Sequence, residues 1–289
     1  MDTMKLASKR NILFIFFSAL TLIIFYTPLR EIPRLALYER LYAHMILVPF
    51  VSGYFLFLKR KQISLATDYS FKAGIIISLI GILLFWIEEK NGLGLSQNSH
   101  LSLAVLSALI FWIGGFVFFY GVKAFKIASF PLLFLLFMVP IPSRVLETIV
   151  YLLTCGSAEA AYGFFKLTGV PVLREGFTFH LPRLTIEVAE QCSGINSSVA
   201  LFVSSIVAAQ LFLRTGWKKV VLVLSIFPIT ILKNGMRIVT LSLLGIYVDP
   251  RILHGQLHRK GGIPFFIIAL AMLAPVLWYL RRSEKKSKK

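Results

Sequence analysis

The sequence predicts an all-α, polytopic integral membrane protein with about eight transmembrane helices and a short extracytoplasmic hairpin before Cys192. Of its 289 residues, 57% are hydrophobic and 15% are charged, and the mean hydropathy is +0.79. A soluble domain of this length needs polar residues to cover its surface. Here, apolar runs of about 17–25 residues, long enough to cross a bilayer, recur along the chain.

Eight apolar segments are expected to span the membrane: 12–28, 43–58, 73–87, 101–121, 127–142, 193–213, 219–237 and 263–280. We expect them to form one membrane-embedded domain over residues 1–289. Its parts are N-terminal spans (1–142), an extracytoplasmic or interfacial segment (143–191), later spans with the candidate site (192–280) and a basic tail (281–289).

Lysine and arginine indicate the orientation. With the N-terminus in the cytoplasm and sides alternating at each span, 18 of the 31 basic residues fall on the cytoplasmic side, six of them in the tail. Only Asp2, Asp68 and Glu284 of the 13 acidic residues fall there. Because positively charged loops stay in the cytoplasm, we expect both termini there. The net charge of +18 then reflects topology and attraction to anionic lipid, so no nucleic-acid partner is expected.

The segment between the fifth and sixth spans divides into two pieces. Residues 145–170 are helical in period but include Glu147, Glu159 and Lys166, so we expect them to lie in the membrane interface or to dip in and out of it without spanning the membrane. Residues 177–188 alternate in polarity around a proline-containing turn, which is typical of a short hairpin. This hairpin is expected outside, just before Cys192.

Cys192 begins "CSGINSS" at the expected outer end of the sixth span. Unpaired backbone N–H groups at a helix N-terminus favour an anion and lower the pKa of a thiol. A lower pKa increases the thiolate fraction, and the thiolate is the nucleophilic form of cysteine. The alternatives are a buried thiol or a disulfide with Cys155. Ser193 and Asn196 are expected to cap the helix.

A second polar group lies in the seventh span, in "LKNGMRIVTLS". Asn234 and Arg237 are three residues apart and share a helical face. An arginine in a membrane helix predicts a functional role unless it snorkels to the headgroups as an anchor. We expect Lys233 to be such an interfacial anchor.

A third group precedes the last span, in "LHGQLHRKGGIPFF". His254 and His258 are four residues apart, and histidine is the usual general acid or base near neutral pH. Together, Cys192, Arg237 and a histidine supply a nucleophile, a charge for the oxyanion and a proton carrier, which is typical of acyl transfer.

Two other classes of protein remain open. Cys192, His254 and His258 are candidate zinc ligands of a membrane metallohydrolase, although "HGQLH" lacks the glutamate of an HExxH motif. A transporter or scaffold is the other alternative, but transporter sites typically lie near the middle of the bilayer.

The three blocks "AEQCSGINSS", "LKNGMRIVTLS" and "LHRKGGIPFF" resemble, in this order, the signature of the exosortase/archaeosortase family of membrane transpeptidases. The resemblance implies Cys192 as nucleophile, Arg237 as catalytic arginine and His258 as catalytic histidine, with His254, Asn234 and Glu190 as supporting candidates. No metal or cofactor is expected.

The same resemblance implies a substrate and a location. The expected partners are exported proteins with a C-terminal sorting signal, in which a short motif such as Pro-Glu-Pro precedes a transmembrane helix and a basic cluster. Cleavage would leave a thioester on Cys192, which an acceptor then resolves. The expected location is the inner membrane of a prokaryote, with the site facing outward.

Overall fold

The computed structural model describes residues 2–91, 96–189, 193–249, 251 and 262–286. The described part is predominantly helical, which confirms the all-α polytopic class. The chain divides into two compact units, Met1–Val145 and Leu146–Lys289. The single domain expected from the sequence stays a prediction.

The first unit has five α-helices in its described residues: α1 (Asp2–Ile24), α2 (Tyr26–Tyr38), α3 (Leu47–Leu65), α4 (Phe71–Asn91) and α5 (Gln97–Phe134). Two 3₁₀ helices, Arg40–Ile46 and Leu135–Met138, precede α3 and follow α5. Helices α4 and α5 approach each other closely because glycines face the partner backbone. A Cβ atom on Gly81 would lie 2.7 Å from the Phe111 nitrogen, which is the close approach that small residues allow between membrane helices.

Helix α5 is interrupted at Gly121, whose φ of 85° and ψ of 167° are not helical. A Cβ atom there would lie 2.2 Å from the Asp68 carbonyl oxygen, so only glycine fits. The Asp68 N–H donates to the Tyr120 carbonyl oxygen at 3.1 Å and holds the preceding connection against the break. The break thus lies at the end of the fourth expected span (101–121) and before the fifth (127–142).

In the second unit, α6 (Ser143–Thr168) leads to a three-stranded antiparallel sheet, β1 (Leu173–Glu175), β2 (Thr178–Leu181) and β3 (Leu184–Glu187), with order β1-β2-β3. The remaining helices in the described residues of this unit are α7 (Ile195–Phe212), α8 (Gly216–Leu224), α9 (Ile226–Tyr247) and α10 (Gly262–Lys286). The expected hairpin corresponds to β2 and β3. The third strand, β1, is only three residues long and is not expected from the sequence.

Six helices in the described part of the chain are long and apolar enough to span a membrane, or seven if the pair α1 and α2, bent by 83°, forms one span. The eight expected segments thus do not each match one spanning helix. Residues 97–138 form a single run that includes two of them, and α8 and α9 form one run, 216–247. Helix α6 is not among these helices, and its expected location in the membrane interface stays a prediction.

Two apolar clusters hold the second unit together. One joins α7, α8, α9 and α10 through Leu201, Leu222, Ile229 and Leu273. The other packs the sheet against α6 and the second half of α9, with Phe165 and Phe179 fully buried. Each fully buried aromatic side chain contributes about 1.5–3 kcal/mol relative to an exposed one. The sheet is thereby fixed next to the polar residues of α9.

Candidate functional site

Four of the six candidate site residues lie outside the described residues: Glu190, Cys192, His254 and His258. The other two, Asn234 and Arg237, lie on α9. The structure also describes Ser193 and Gly194, which follow Cys192 directly in the chain. The structure therefore shows the candidate site through α9 and the elements that pack against it.

Asn234 is fully buried between α9 and α6. Its Nδ2 atom donates to Ser157 Oγ on α6 at 2.9 Å. The two helices are close enough for this bond because the next residue, Gly235, lies against α6, where a Cβ atom would be 2.7 Å from Ala160 Cβ. Since a buried amide is costly without hydrogen bonds, Ser157 fixes the orientation of Asn234.

Arg237 is half-buried on the same helical face, one turn after Lys233 and Asn234. The seventh expected span ends at residue 237, but the helix does not end there. Helix α9 continues to Tyr247, because Ile238 and Val239 pack into the cluster with the sheet and extend the helix. Arg237 thus lies in the interior of a helix, between two clusters of apolar contacts.

The turn before α7 lies directly against α9. Gly194 has φ of +73° and occupies the N-cap position of α7. A Cβ atom on it would be 3.0 Å from Asn234 Oδ1 and 3.3 Å from Lys233 Nζ. Ser193, immediately before it, is fully buried. Gly194, two positions after Cys192, therefore lies close to the polar face of α9.

The expected capping of α7 by Ser193 and Asn196 is correct only in part: Ser193 Oγ accepts from the Ile195 N–H in the first turn at 3.4 Å, although Ser193 is not the N-cap residue. The N-cap residue is Gly194, which has no side chain to accept a hydrogen bond, and Asn196 is exposed in the first turn. Instead, Ser197 Oγ and Ser198 Oγ donate to the Gly194 carbonyl oxygen at 2.9 Å and 2.8 Å. The left-handed conformation that suits glycine brings this turn against α9.

Lys233 is not an interfacial anchor, contrary to the expectation from the sequence. Only 2% of its surface is exposed, and its Nζ atom donates to Ser197 Oγ on α7 at 2.6 Å. The side chain is directed into the protein because α7 offers this hydroxyl acceptor close to α9. The sequence signal was present: Lys233 and Arg237 are one helical turn apart on either side of Asn234, on one face of an otherwise apolar helix.

The three-stranded sheet leads along the chain to the turn before α7. The Val188 N–H donates to the Phe177 carbonyl oxygen at 3.0 Å, and the Val188 side chain is buried. On the outer surface of the sheet, Arg174 on β1 donates to Glu159 on α6 at 2.7 Å. This guanidinium group holds the pKa of the Glu159 carboxyl below its ordinary value. The sheet is thus joined to α6 by both apolar and charged contacts.

Cys155, the second cysteine of the chain, is a half-buried free thiol on α6. The exposed Tyr151 lies one turn before it, and their hydrogen bond raises the pKa of the tyrosine. Cys155 is one residue before Gly156, where a Cβ atom would lie 2.7 Å from Ile231 Cδ1 on α9. It therefore belongs to the helix that supports Asn234.

In the described part of the chain, no group of three or more His, Cys, Asp and Glu side chains is arranged to hold a metal ion. The ligands of the metallohydrolase alternative, Cys192, His254 and His258, lie outside that part. A cavity of about 1070 Å³ lies within the first unit, where Glu31, Arg34, Glu88 and His100 are among its lining residues. None of its described lining residues is a candidate site residue.

The family model of the transmembrane exosortases matches residues 37–275, most of the chain. The chain belongs to the transmembrane exosortase family. No curated protein and no solved structure matches it. The matched range includes every candidate site residue, so the resemblance inferred from the three sequence blocks is confirmed at the level of the family.

For this exosortase, the sequence identified Asn234 and Arg237 as a pair on one face of α9, which the structure confirms. It did not identify Ser157, Ser197 or Gly194 as the partners of that face. Serine and glycine are common in membrane helices, and the sequence alone does not show which of them meet. The structure adds Lys233 to the polar groups at this location.

Proposed function

We propose that this exosortase is a cysteine-dependent membrane transpeptidase or protease that cleaves C-terminal sorting signals of exported proteins. Cys192 attacks the scissile carbonyl and forms a thioester, with release of the C-terminal peptide. An acceptor then displaces the thiol, and the substrate is transferred to it. Family membership supports this class of reaction.

The observation on which the proposal depends most is the contact between Gly194 and the polar face of α9. A Cβ atom at position 194 would lie 3.0 Å from Asn234 Oδ1, and Arg237 is the next residue along that face. Cys192 is two residues before Gly194 in the chain, so the candidate nucleophile and the candidate arginine belong to segments that meet. This supports a shared site for Cys192 and Arg237.

Each residue has a stated role in the proposal. The Cys192 thiolate is the nucleophile, and Arg237 stabilises the oxyanion of the tetrahedral intermediate or holds the substrate in register. His258 protonates the leaving amine and later accepts a proton from the acceptor. Asn234, fixed by Ser157 at 2.9 Å, orients the neighbouring arginine or histidine. His254 and Glu190 are kept as supporting candidates.

The proposed location is the inner membrane of a prokaryote, with both termini in the cytoplasm and the site outside. Substrates are exported proteins with a short motif such as Pro-Glu-Pro, a transmembrane helix and a basic cluster. Such a substrate, with its basic cluster in the cytoplasm, presents its motif at the outer surface. The basic tail of this chain after Leu280 supports the same orientation.

The experiment is substrate processing in cells that express this protein with an exported substrate bearing a C-terminal sorting signal. Wild type is compared with Cys192→Ala and with Cys155→Ala as the matched cysteine variant, at equal levels in the membrane. We expect Cys192→Ala to leave full-length precursor in the membrane and Cys155→Ala to process it. Normal processing by Cys192→Ala would refute the proposed chemistry.

A further inference from the structure

A small basic cavity lies in the second unit, where three of its apolar helical runs reach one surface of the membrane. Ile195–Phe212 and Ile263–Lys285 end at this surface, and Gly216–Tyr247 begins there. The cavity, of about 280 Å³, lies between the connection from α7 to α8 and the last turns of α10. Its lining residues are three cations, one carboxylate and two apolar side chains: Leu211, Phe212, Arg214, Arg281, Glu284 and Lys285.

The carboxylate of the cavity, Glu284 on α10, is engaged by the backbone. Its Oε1 atom accepts from the Thr215 N–H at 2.8 Å and from the Arg214 N–H at 3.2 Å, and its Oε2 atom accepts from the Arg214 N–H at 3.1 Å. Thr215 is the N-cap residue of α8. Since backbone N–H groups at a helix N-terminus have no partner within the helix and favour a negative charge, Glu284 stabilises the start of α8.

A second hydrogen bond joins the same elements. Lys218 on α8 is buried, and its Nζ atom donates to Ser283 Oγ on α10 at 2.7 Å. Ser283 and Glu284 are adjacent in α10, so two neighbouring residues of one helix hold the start of α8 and the connection before it. The backbone on the two sides of the cavity is thereby fixed at a defined separation.

The three cations of the cavity differ from Lys218 because their side chains are exposed: Arg214, Arg281 and Lys285. The Arg281 guanidinium carbon lies 5.6 Å from the centroid of the Phe212 ring, and this cation–π contact keeps the group beside the cavity. In the described part of the chain, none of the three forms an ion pair with a carboxylate. Three cations and one carboxylate give the described lining a net charge of +2, which favours an anionic ligand.

Two tryptophan side chains indicate the depth of the cavity in the membrane. Trp217 on α8 and Trp278 on α10 are each 60% exposed, and exposed tryptophan is typical of the membrane–water interface. Trp217 is three residues after Arg214, and Trp278 is one helical turn before Arg281. The cations therefore lie at the level of the lipid headgroups.

These features fit the phosphate group of an anionic phospholipid. Arginine and lysine bind phosphate oxygens through charge-assisted hydrogen bonds, and basic pockets between membrane helices bind anionic headgroups. The volume of about 280 Å³ is smaller than the roughly 300–1,000 Å³ of sites that enclose a whole small molecule. A headgroup fits such a cavity while its acyl chains stay outside, where the exposed Leu211 and Phe212 offer an apolar surface.

We propose that this cavity is a binding site for the phosphate headgroup of an anionic phospholipid, with Arg214, Arg281 and Lys285 as the residues that bind it. The site is more specific than the attraction of a basic tail to an anionic membrane, because hydrogen bonds fix the elements that carry its charges. The inference does not depend on the proposed reaction of Cys192. Its failure and that of the proposed function are distinguishable, because lipid binding is measured without substrate.

The test measures the binding of phosphatidylglycerol to the purified full-length protein in a non-ionic detergent. Native mass spectrometry gives the Kd from the fraction of protein that retains lipid across a titration. Wild type is compared with Arg281→Gln and, as the matched control, with Arg282→Gln. Arg282 is also exposed, and its guanidinium carbon lies 5.1 Å from the centroid of the Trp278 ring. It is not among the described residues that line the cavity, so both variants lose one exposed positive charge of α10 and differ in its position.

We expect Arg281→Gln to raise the Kd about tenfold, which corresponds to the loss of one charge-assisted hydrogen bond. Arg282→Gln should change the Kd by less than about twofold, since an exposed charge outside the cavity acts only through screened attraction. Arg281→Lys, which keeps the charge, should bind more tightly than Arg281→Gln. Equal weakening by Arg281→Gln and Arg282→Gln would overturn the site and indicate diffuse attraction, and so would an unchanged Kd in Arg281→Gln.

Glu284 provides a second test, in which geometry and charge have opposite effects. Glu284→Gln and Glu284→Ala remove the same negative charge, but the glutamine Oε1 atom still accepts from the Arg214 and Thr215 N–H groups. If the fixed cavity binds the headgroup, Glu284→Ala should bind phosphatidylglycerol about threefold or more weakly than Glu284→Gln, the effect of one ordinary hydrogen bond. Equal Kd values for the two variants, both lower than that of wild type, would contradict the proposal. Unfolding temperatures without lipid establish that both variants are folded in the assay.

Two further ligands distinguish a lipid from a soluble phosphate compound. Phosphatidylcholine with the same acyl chains carries a cationic group beside its phosphate, so it should bind more weakly than phosphatidylglycerol. Inorganic phosphate has no acyl chains to cover Leu211 and Phe212, so millimolar phosphate should leave phosphatidylglycerol bound. Displacement of the lipid by inorganic phosphate would overturn the assignment to a lipid. Equal retention of the two lipids would overturn the role of the headgroup charge.

Discussion

Gly194, two residues after Cys192, lies against Asn234, and a Cβ atom at position 194 would be 3.0 Å from Asn234 Oδ1. The contact joins the turn before α7 to α9, although 40 residues separate the two positions in the chain. It depends on the absence of a side chain and on the left-handed conformation of Gly194.

Gly194→Ala should reduce substrate processing by more than tenfold. Alanine in the left-handed region costs about 1–2 kcal/mol, and its Cβ atom must also displace Asn234 or Lys233. Gly169→Ala is the matched control, because Gly169 has φ of +72° with nothing within 4 Å of a Cβ atom. Gly169→Ala therefore has the same free-energy cost of a left-handed alanine backbone, but its Cβ atom displaces no neighbouring side chain. Equal loss of processing in both variants would refute a special role for the Gly194 contact.

Asn234→Ala should lower both stability and processing. It removes the hydrogen bond to Ser157 between α9 and α6, and a buried partner left without its hydrogen bond costs about 1–3 kcal/mol. Ser242→Ala is a suitable comparison, since the buried Ser242 hydroxyl donates within its own helix, to the Ile238 carbonyl oxygen at 2.7 Å. Thermal unfolding in detergent and processing in cells measure the two effects. Full processing by Asn234→Ala would exclude an orienting role.

Gly235→Ala should separate α9 from α6 and destabilise the protein by about 1–3 kcal/mol. The added Cβ atom would lie 2.7 Å from Ala160 Cβ and 3.0 Å from the Ala161 nitrogen. Gly163 on α6 has nothing within 4 Å of a Cβ atom, so Gly163→Ala should be neutral or stabilise the helix by up to about 1 kcal/mol. Unfolding temperatures of the two variants test the close packing of these helices, and a Gly235→Ala protein as stable as wild type would contradict it.

The pair of Glu159 and Arg174 should add a small stability that depends on pH. The folded-state pKa of Glu159 is lowered by the guanidinium group, so this stability is present above the unfolded-state pKa and is lost as pH falls through the folded-state pKa. Glu159 is exposed, and exposed pairs contribute little. Glu159→Gln should therefore lower the unfolding temperature slightly at neutral pH, and the difference from wild type should vanish in acid. A difference that grows in acid would have the wrong sign.

Thiol alkylation and metal chelation should separate the two enzymatic alternatives. In Cys155→Ala protein, an alkylating reagent should abolish processing, and a chelator should leave it unchanged, because the proposed nucleophile is a thiolate. Processing of the same substrate after each treatment is the measurement. Loss of processing with the chelator, restored by added zinc, would favour the metallohydrolase with Cys192, His254 and His258 as ligands.

The sequence predicted the membrane class and the polar face of α9 from local information. Apolar length defines a span, and the spacing of Asn234 and Arg237 defines a shared helical face. The break at Gly121 was also consistent with the two spans expected on either side of it. Such features depend on residues close together in the chain, so the sequence is sufficient to predict them.

The features that the sequence did not predict depend on contacts between distant residues. Lys233 was assigned to the interface because its acceptor, Ser197, is 36 positions away on another helix. The strand β1 has three residues and no alternating pattern of its own, and it forms by pairing with β2. The extension of α9 to Tyr247 likewise follows from its packing against the sheet.

The polar face of α9 also bears on how the protein is assembled during its synthesis. A helix with Lys233, Asn234 and Arg237 partitions poorly into lipid by itself, since lysine or arginine at the centre of a helix costs about 2.5–3.5 kcal/mol for insertion. Ser157 on α6 and Ser197 on α7 precede α9 in the chain. Their hydroxyl groups are thus synthesised before α9 arrives, and α9 should enter the membrane as a partner of these earlier helices.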